Sequence, residues 1–294
     1  MAEAPQTLLP APVAAPGTQQ APRPEEWPWW TAPAALVGGL LLAAVAALVI
    51  DIPAALLGVN ITSSDLPGGL ELANTVVQDC AFVGAAVLFA SLGGRTVRAW
   101  QLGLRPPLLR WRTSALLIVA LIVAFLAFNV IWADLWDVNT KEKLLEQLGA
   151  NEGTALLLLS AALTCVLAPI CEEILFRGFI YRALCSWRGP WPAAVLTGLA
   201  FGGVHAGSAP AVDLVPLAML GFGLCLLYRR TGSLYPCIAA HSLNNSLAFG
   251  ALENWGWQIP VLMGASLALI ALLVLACKRG GVITPPPSVV ISTA

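Results

Sequence analysis

The chain contains eight long apolar runs, and these constrain its fold more than any other feature. Most are long enough to cross about 30 Å of hydrocarbon as a helix, although the fifth and sixth are short. Of the 294 residues, 58% are hydrophobic and 11% are charged, which excludes an ordinary soluble domain. We therefore predict an all-α polytopic membrane protein. The predicted spans lie near residues 32–50, 71–92, 113–133, 154–180, 191–207, 211–228, 233–252 and 257–277.

Basic residues in alternate loops predict the orientation of the chain. The opposite loops hold two lysines, Lys141 and Lys143, which acidic residues outnumber. By the positive-inside rule, the arginine-rich loops and both termini lie in the cytoplasm. We expect an integral protein of the plasma or inner membrane of a prokaryote. The basic residues that fix this orientation are Arg95, Arg98, Arg105, Arg110, Arg112, Arg182, Arg188, Arg229, Arg230, Lys278 and Arg279.

Composition also divides the chain into segments. Residues 1–30 are rich in Pro and Ala and predict a disordered cytoplasmic tail, which ends in an aromatic interface anchor at Trp27, Trp29 and Trp30. Arg95 to Arg112 mixes arginine with large apolar residues and is a candidate interfacial helix, interrupted by two prolines. The predicted segments are accessory helices in 31–153, a core of four helices in 154–252, a last helix in 253–278 and a disordered tail in 279–294.

Two adjacent carboxylates, Glu172 and Glu173, lie in the fourth run. Ionisable groups at membrane depth are costly, which makes them functional candidates. In a helix, Glu173 shares a face with Arg177, whereas Glu172 is rotated by about 100°. We predict that Glu173 and Arg177 form a structural pair and that Glu172 serves as a general base. The alternative is that both glutamates pair with arginines of other helices.

The only two histidines of the chain lie in later runs. His205 ends the fifth run, in a helix that Gly198, Gly202 and Gly203 make thin enough for close packing. Taken alone, a histidine in an apolar helix is more often a hydrogen-bonded packing residue than a catalytic one.

His241 lies early in the seventh run, four residues before Asn245, so that both side chains share a face. Both can donate hydrogen bonds to a developing oxyanion. Asn244 is a less well aligned alternative. Both histidines together with the acidic pair are harder to explain by packing alone.

Two chemistries fit this set of residues, and the sequence does not choose between them. In one, Glu172 and His205 activate a water molecule for attack on an amide carbonyl, while His241 and Asn245 hold the tetrahedral oxygen. In the other, Glu172, His205 and His241 bind a divalent metal such as zinc. Both chemistries end in peptide hydrolysis.

These motifs resemble those of a known family. Glu172-Glu173-x-x-x-Arg177, Phe201-x-x-x-His205 and His241-x-x-x-Asn245 are similar, in spacing and order, to the three motifs of the CAAX protease and bacteriocin-processing (Abi) intramembrane proteases. The resemblance covers about residues 154–252. It implies a helical membrane fold and a catalytic cavity open toward the cytosol. It also implies the catalytic roles just described, with Glu173 and Arg177 in support.

The expected partners are the lipid bilayer and a membrane-bound peptide or lipidated protein substrate. The net charge of −1 gives no indication of a nucleic-acid partner. Two other functions stay open: a proton-coupled transporter that uses Glu172, Glu173 and Asp79 as a relay, or a non-catalytic immunity or scaffold protein. Asn74, Gln78 and Asp79 make the second run polar, either for packing or to line a cavity.

The predicted spans place the site residues at different depths. Glu172 lies about 27 Å along its helix from Thr154, near the cytosolic face, and His205 lies about 21 Å inward from Trp191. His241 lies about 12 Å inward from Ser233. The three side chains meet only if the true helix boundaries differ from these spans.

Overall fold

The computed structural model describes residues 27–61, 66–136 and 148–285 and shows eight long helices within them. Each predicted span corresponds to one of these helices, and the described residues form no β-strand. The predicted all-α polytopic membrane fold is therefore confirmed. The helices are α1 (Thr31–Leu56), α2 (Gly68–Ala90), α3 (Trp111–Trp136), α4 (Thr154–Arg188), α5 (Pro190–Val204), α6 (Leu214–Thr231), α7 (Leu234–Leu252) and α8 (Gln258–Arg279).

Six of the eight helices are long and apolar enough to cross a bilayer, namely all except α5 and α7. Helix α5 has only 15 residues. Helix α7 is longer, but the polar side chains of His241, Ser242, Asn244 and Asn245 lower its hydropathy. The count of eight complete spans is thus approximate, because the helices that carry most polar groups are those least suited to lipid.

Helix α4 extends beyond its predicted end at residue 180 and continues to Arg188. Gly189 then adopts a positive φ of 79° and turns the chain directly into α5. Glu172 lies about 24 Å from Arg188, and His205 lies about 22 Å from Pro190, because an α-helix rises about 1.5 Å per residue. The two residues are therefore nearly equidistant from the turn, which removes the predicted difference in depth.

The turn between α6 and α7 is covered by the loop that precedes α3. The Leu234 N–H donates to the carbonyl of Gly103 over 2.9 Å, and Arg105 Nε donates to the carbonyl of Gly232 over 2.9 Å. Leu102 is buried beside them. The candidate interfacial helix between Arg95 and Arg112 is therefore wrong, since residues 95–110 form turns that pack against the protein.

The predicted boundary of the first tail is also corrected. Trp27 is 2% exposed, packs on Phe179 with 5.0 Å between ring centroids, and donates from Nε1 to the carbonyl of Ala90. It is a buried anchor of the bundle, whereas Trp29 and Trp30 are exposed. An indole can satisfy its single donor in a core as well as at an interface. Residues 1–26 and 286–294 of the predicted tails lie outside the described residues.

Two of the three predicted packing glycines let α5 approach α6. A Cβ built on Gly198 would lie 2.7 Å from the carbonyl oxygen of Ala218, and one on Gly202 would lie 2.5 Å from that of Leu214. Larger residues would separate the helices at both points. Gly203 faces open space, so the prediction is wrong for that residue.

Candidate active site

Pro169 shapes the helix that carries the two glutamates. Helix α4 contains two π-helical stretches, Leu163–Leu167 and Ile174–Ile180, on either side of the segment Ala168–Glu173. Proline has no N–H, so Pro169 cannot bond the carbonyl of Cys165 in an α-helix or that of Thr164 in a π-helix. The proline thus removes one backbone donor from a turn in which the carbonyls of Thr164 and Cys165 both accept from side chains outside the helix.

Helix α7 supplies the donors to both carbonyls. Ser242 Oγ donates to the carbonyl of Cys165 over 2.6 Å, and Asn245 Nδ2 donates to the carbonyl of Thr164 over 2.9 Å. These bonds fix the rotation and height of α7 against α4. His241 is adjacent to Ser242, so they also set where its ring lies.

The predicted pair between Glu173 and Arg177 is confirmed. Arg177 Nη1 lies 2.7 Å from Glu173 Oε1, and both side chains are fully buried. Arg177 Nη2 also donates to the carbonyl of Gly221 in α6 over 2.8 Å. The pair therefore joins α4 to α6 within the core.

Glu173 has a second contact that the sequence did not indicate. His241 Nδ1 lies 3.0 Å from the same Oε1 atom that receives Arg177. Because a carboxylate accepts hydrogen bonds, Nδ1 carries the hydrogen and Nε2 points away from Glu173. His241 Nε2 lies 3.9 Å from Glu172 Oε2. The two glutamates thus contact opposite nitrogens of one imidazole.

His205 is oriented by its own helix. Its Nδ1 lies 2.7 Å from the carbonyl oxygen of Phe201, which can only accept, so Nδ1 carries the hydrogen and Nε2 is the basic nitrogen. The ring of Phe201 packs against both histidine rings, with centroids 5.1 Å from His205 and 5.5 Å from His241. Arg177 covers the same phenyl ring at 4.6 Å.

A cavity of about 380 Å³ brings these groups together. Such a volume lies within the range of small-ligand pockets. The predicted site residues Glu172, His205, His241 and Asn245 line it, whereas Glu173 and Arg177 are buried behind it. Asn244 also lines the cavity and donates to Asn245 Oδ1 over 3.4 Å.

Helix α2 contributes a polar wall to this cavity, formed by Glu71, Thr75, Gln78 and Asp79. Asp79 is 1% exposed, and its Oδ2 atom has no hydrogen-bond partner among the described residues. Of the two roles left open for the polar residues of this helix, Gln78 and Asp79 line the cavity. Asn74 instead donates to Asp51 Oδ1 over 3.0 Å and joins α2 to α1.

The geometry does not fit the zinc alternative. His241 Nδ1 is held by Glu173, so Nε2 is the one nitrogen of this ring that could bind an ion. Zinc requires donor atoms about 2.0–2.2 Å from the ion, arranged around it. Within residues 27–61, 66–136 and 148–285, no three His, Cys, Asp or Glu side chains converge closely enough to hold a metal ion.

Comparison with known proteins agrees with the motifs. The family model "Type II CAAX prenyl endopeptidase Rce1-like" matches residues 154–247, which include every predicted site residue. Residues 154–247 are thus similar to the CAAX endopeptidase family. The resemblance drawn from the three motifs is therefore confirmed for this segment, which contains α4 to α6 and most of α7.

One curated relative supports the same assignment. The Bacillus subtilis (strain 168) protein named "Putative membrane peptidase YdiL" is 32% identical over 107 residues. The match covers 34% of this chain and 43% of the relative, so the chain spans less than half the length of the relative it matches. No solved structure matches the chain. The accessory helices α1 to α3 lie outside the segment that the family model matches.

Proposed function

We propose that the protein is an intramembrane endopeptidase that hydrolyses a peptide bond in a membrane-associated or lipid-modified peptide. The observation that carries this proposal is the convergence of Glu172, His205 and His241, from three helices, on one cavity inside a membrane protein. Each side chain is available for chemistry at one atom: Glu172 at Oε2, and each histidine at Nε2.

Glu172 is the proposed general base. Its Oε2 atom is buried in the cavity wall and has no hydrogen-bond partner among the described residues. A water molecule held between this oxygen and His205 Nε2 would lose a proton to Glu172 as its oxygen bonds to the substrate carbonyl carbon. Glu172 then delivers that proton to the leaving nitrogen as the C–N bond breaks.

Asn245 and His241 are the proposed stabilisers of the tetrahedral oxygen. One Nδ2 hydrogen of Asn245 is held by the carbonyl of Thr164, which leaves its second hydrogen available. His241 donates at Nε2 only as an imidazolium, because its Nδ1 hydrogen is directed at Glu173. Glu173 and Arg177 act by positioning this ring rather than by touching substrate.

Purified protein in detergent, incubated with a panel of membrane-anchored and lipidated peptides, tests the proposal. We expect cleavage that is lost in Glu172→Gln and in His205→Ala and is retained in Glu253→Gln. The control makes the same chemical change outside the cavity. Cleavage that survives both cavity substitutions would refute the assignment. Under this proposal, ion flux in liposomes is indistinguishable from that of empty vesicles, whereas a transporter would give a signal.

A further inference from the structure

The cavity occupies only one half of the helix bundle. On every helix, the lining residues run from the level of Glu172 toward the same end, where α4 begins and where α5 and α7 finish. They reach the exposed residues Ala206 and Ser208 in the loop after α5. The lining residues on α4 are Leu163, Thr164, Ala168 and Glu172, and those on α7 are His241, Asn244, Asn245, Ala248, Phe249 and Leu252.

The opposite half of the bundle is closed. Below Glu172, the side chains of Leu175, Phe176 and Phe179 are fully buried, as is the pair Glu173–Arg177. The turn between α6 and α7 is covered by the loop around Gly103. Among the described residues, the packing therefore offers no route to the site from this end.

Charge divides the described residues along the same axis. Arg177 is buried in the core. Every other described basic side chain lies at the closed end, in the loop before α3 or its first turn, near the α4–α5 turn, or at the ends of α6 and α8. The described acidic side chains outside the cavity and core lie at the open end. These acids are Asp51, Asp134, Glu152, Asp213 and Glu253.

Two sequence expectations are therefore incompatible with each other. The positive-inside rule places the basic end in the cytoplasm. The resemblance implied a cavity open toward the cytosol, yet the cavity opens at the other end. The orientation rests on many arginines in short loops beside the helix ends, which is the situation in which the rule applies best.

We propose that the cavity opens to the face of the membrane away from the cytosol, and that its substrates are peptide segments presented on that face. The substrate class rests on the proposed peptidase function, whereas the direction of opening does not. The acidic residues of the cavity also predict which peptide ends it binds. Glu71, Asp79 and Glu172 line the cavity, and no described lining residue is a lysine or arginine. A free C-terminal carboxylate beside the ionised Glu172 is thus disfavoured, because like charges repel.

Cysteine labelling in intact cells tests the direction of opening without requiring activity. The background replaces Cys80, Cys185 and Cys277 by alanine, since the other four cysteines are buried. Ser208→Cys reports on the open end, and Thr96→Cys, on the loop before α3, reports on the basic end. Both original residues are exposed hydroxyl residues of similar size.

We expect a membrane-impermeant maleimide to label Ser208→Cys in intact cells and Thr96→Cys only after permeabilisation. Labelling of Ser208→Cys only after permeabilisation would overturn the proposal, whatever Thr96→Cys shows. Elution of each variant as a single species in detergent confirms that it is folded.

Cleavage in sealed membrane vesicles tests the substrate class. A membrane-impermeant peptide should be cut by right-side-out vesicles without detergent, and its amidated form should be cut faster than its free acid. Cleavage confined to inside-out vesicles would contradict the proposed substrates. A peptide panel that is not cut even in detergent would instead count against the peptidase function, while the labelling result would still decide the direction of opening.

Discussion

The two halves of the bundle differ most clearly at the adjacent residues Glu172 and Glu173. Glu173 faces the closed half, where Arg177 and His241 both contact its Oε1 atom. Glu172, rotated by about 100° on the same helix, faces the open half, where its Oε2 atom has no hydrogen-bond partner among the described residues. One step along the chain thus separates a carboxylate that fixes geometry from one that is free to react.

Loss of the reactive carboxylate should have the largest effect on activity. Glu172→Gln keeps the size and polarity of the side chain but cannot take a proton from water. We expect a fall in kcat of about 10³-fold, within the range for a general base, with an unchanged folded yield. Peptide cleavage and size-exclusion chromatography in detergent measure the two quantities. A rate within tenfold of wild type would show that Glu172 is not the general base and does not differ in this way from Glu173.

Loss of the structural carboxylate should instead reduce folding together with activity. Glu173→Gln and Arg177→Ala each leave a charged partner buried without compensation, which costs about 3–5 kcal/mol. Thermal unfolding in detergent should show both variants shifted in the same direction. A harmless Arg177→Ala would refute the buried pair.

A paired replacement separates packing from positioning. Glu173→Leu combined with Arg177→Met removes both charges at once, so we expect the folded yield to recover in part. Activity should stay low, because His241 loses the acceptor of its Nδ1 hydrogen. Restored cleavage in the double variant would show that Glu173 does not position His241.

Asn245→Ala should lower kcat by an intermediate amount. It removes a proposed oxyanion donor, which typically costs about 10²-fold in kcat, and it also exposes the unpaired carbonyl of Thr164. Asn244→Ala, which changes a neighbouring amide in the same cavity, is the matched control and should retain most of the activity. Equal losses in the two variants would mean that Asn245 has no special role.

Ser242→Ala should affect stability more than activity. Its hydroxyl donates to the carbonyl that Pro169 leaves unpaired, and an unsatisfied buried acceptor costs about 1–3 kcal/mol. Ser246→Ala is the control, since the backbone carbonyl to which that hydroxyl donates, that of Ser242, lies in its own helix. The melting temperature should fall more for Ser242→Ala. Equal melting temperatures would show that the contact does not hold α7 in place.

Chelation of metal ions should have the smallest effect on the cleavage rate. The donor atoms of Glu172, His205 and His241 do not converge as a zinc site requires. We expect the cleavage rate to stay within twofold of its initial value after prolonged dialysis against a chelator. A loss of activity that added zinc restores would show that the side chains rearrange around a metal ion.

The sequence predicted the number and order of the helices, because an uninterrupted apolar run of about 20 residues has few alternatives to a membrane helix. The predicted end of α4 was too early, since Arg182 resembled an interface although the helix continues past it and ends at Arg188. The prediction that Trp27 lies at the membrane interface was also wrong, because the burial of a single indole depends on the tertiary packing around it.

Within the site, helical periodicity was enough to pair Glu173 with Arg177, which is a local contact. The contact between Glu173 and His241 joins residues 68 positions apart and depends on how α7 docks on α4. One sequence signal could have indicated this docking. Pro169 lies within an apolar run and leaves a carbonyl in need of a donor, and Ser242 and Asn245 are hydrogen-bond donors in another apolar run. The position of Asp79 on the cavity wall required the packing of α2.

The central claim is that Glu172 and His205 act on the same water molecule, and a double-mutant cycle tests it most directly. The measurement is kcat/KM for wild type, Glu172→Gln, His205→Ala and the double variant, on one peptide. Residues that act as a unit are strongly non-additive, so we predict that the double variant is no slower than the slower single variant. A double variant slower by the product of the two single losses would show that the two residues act independently, and would contradict this account.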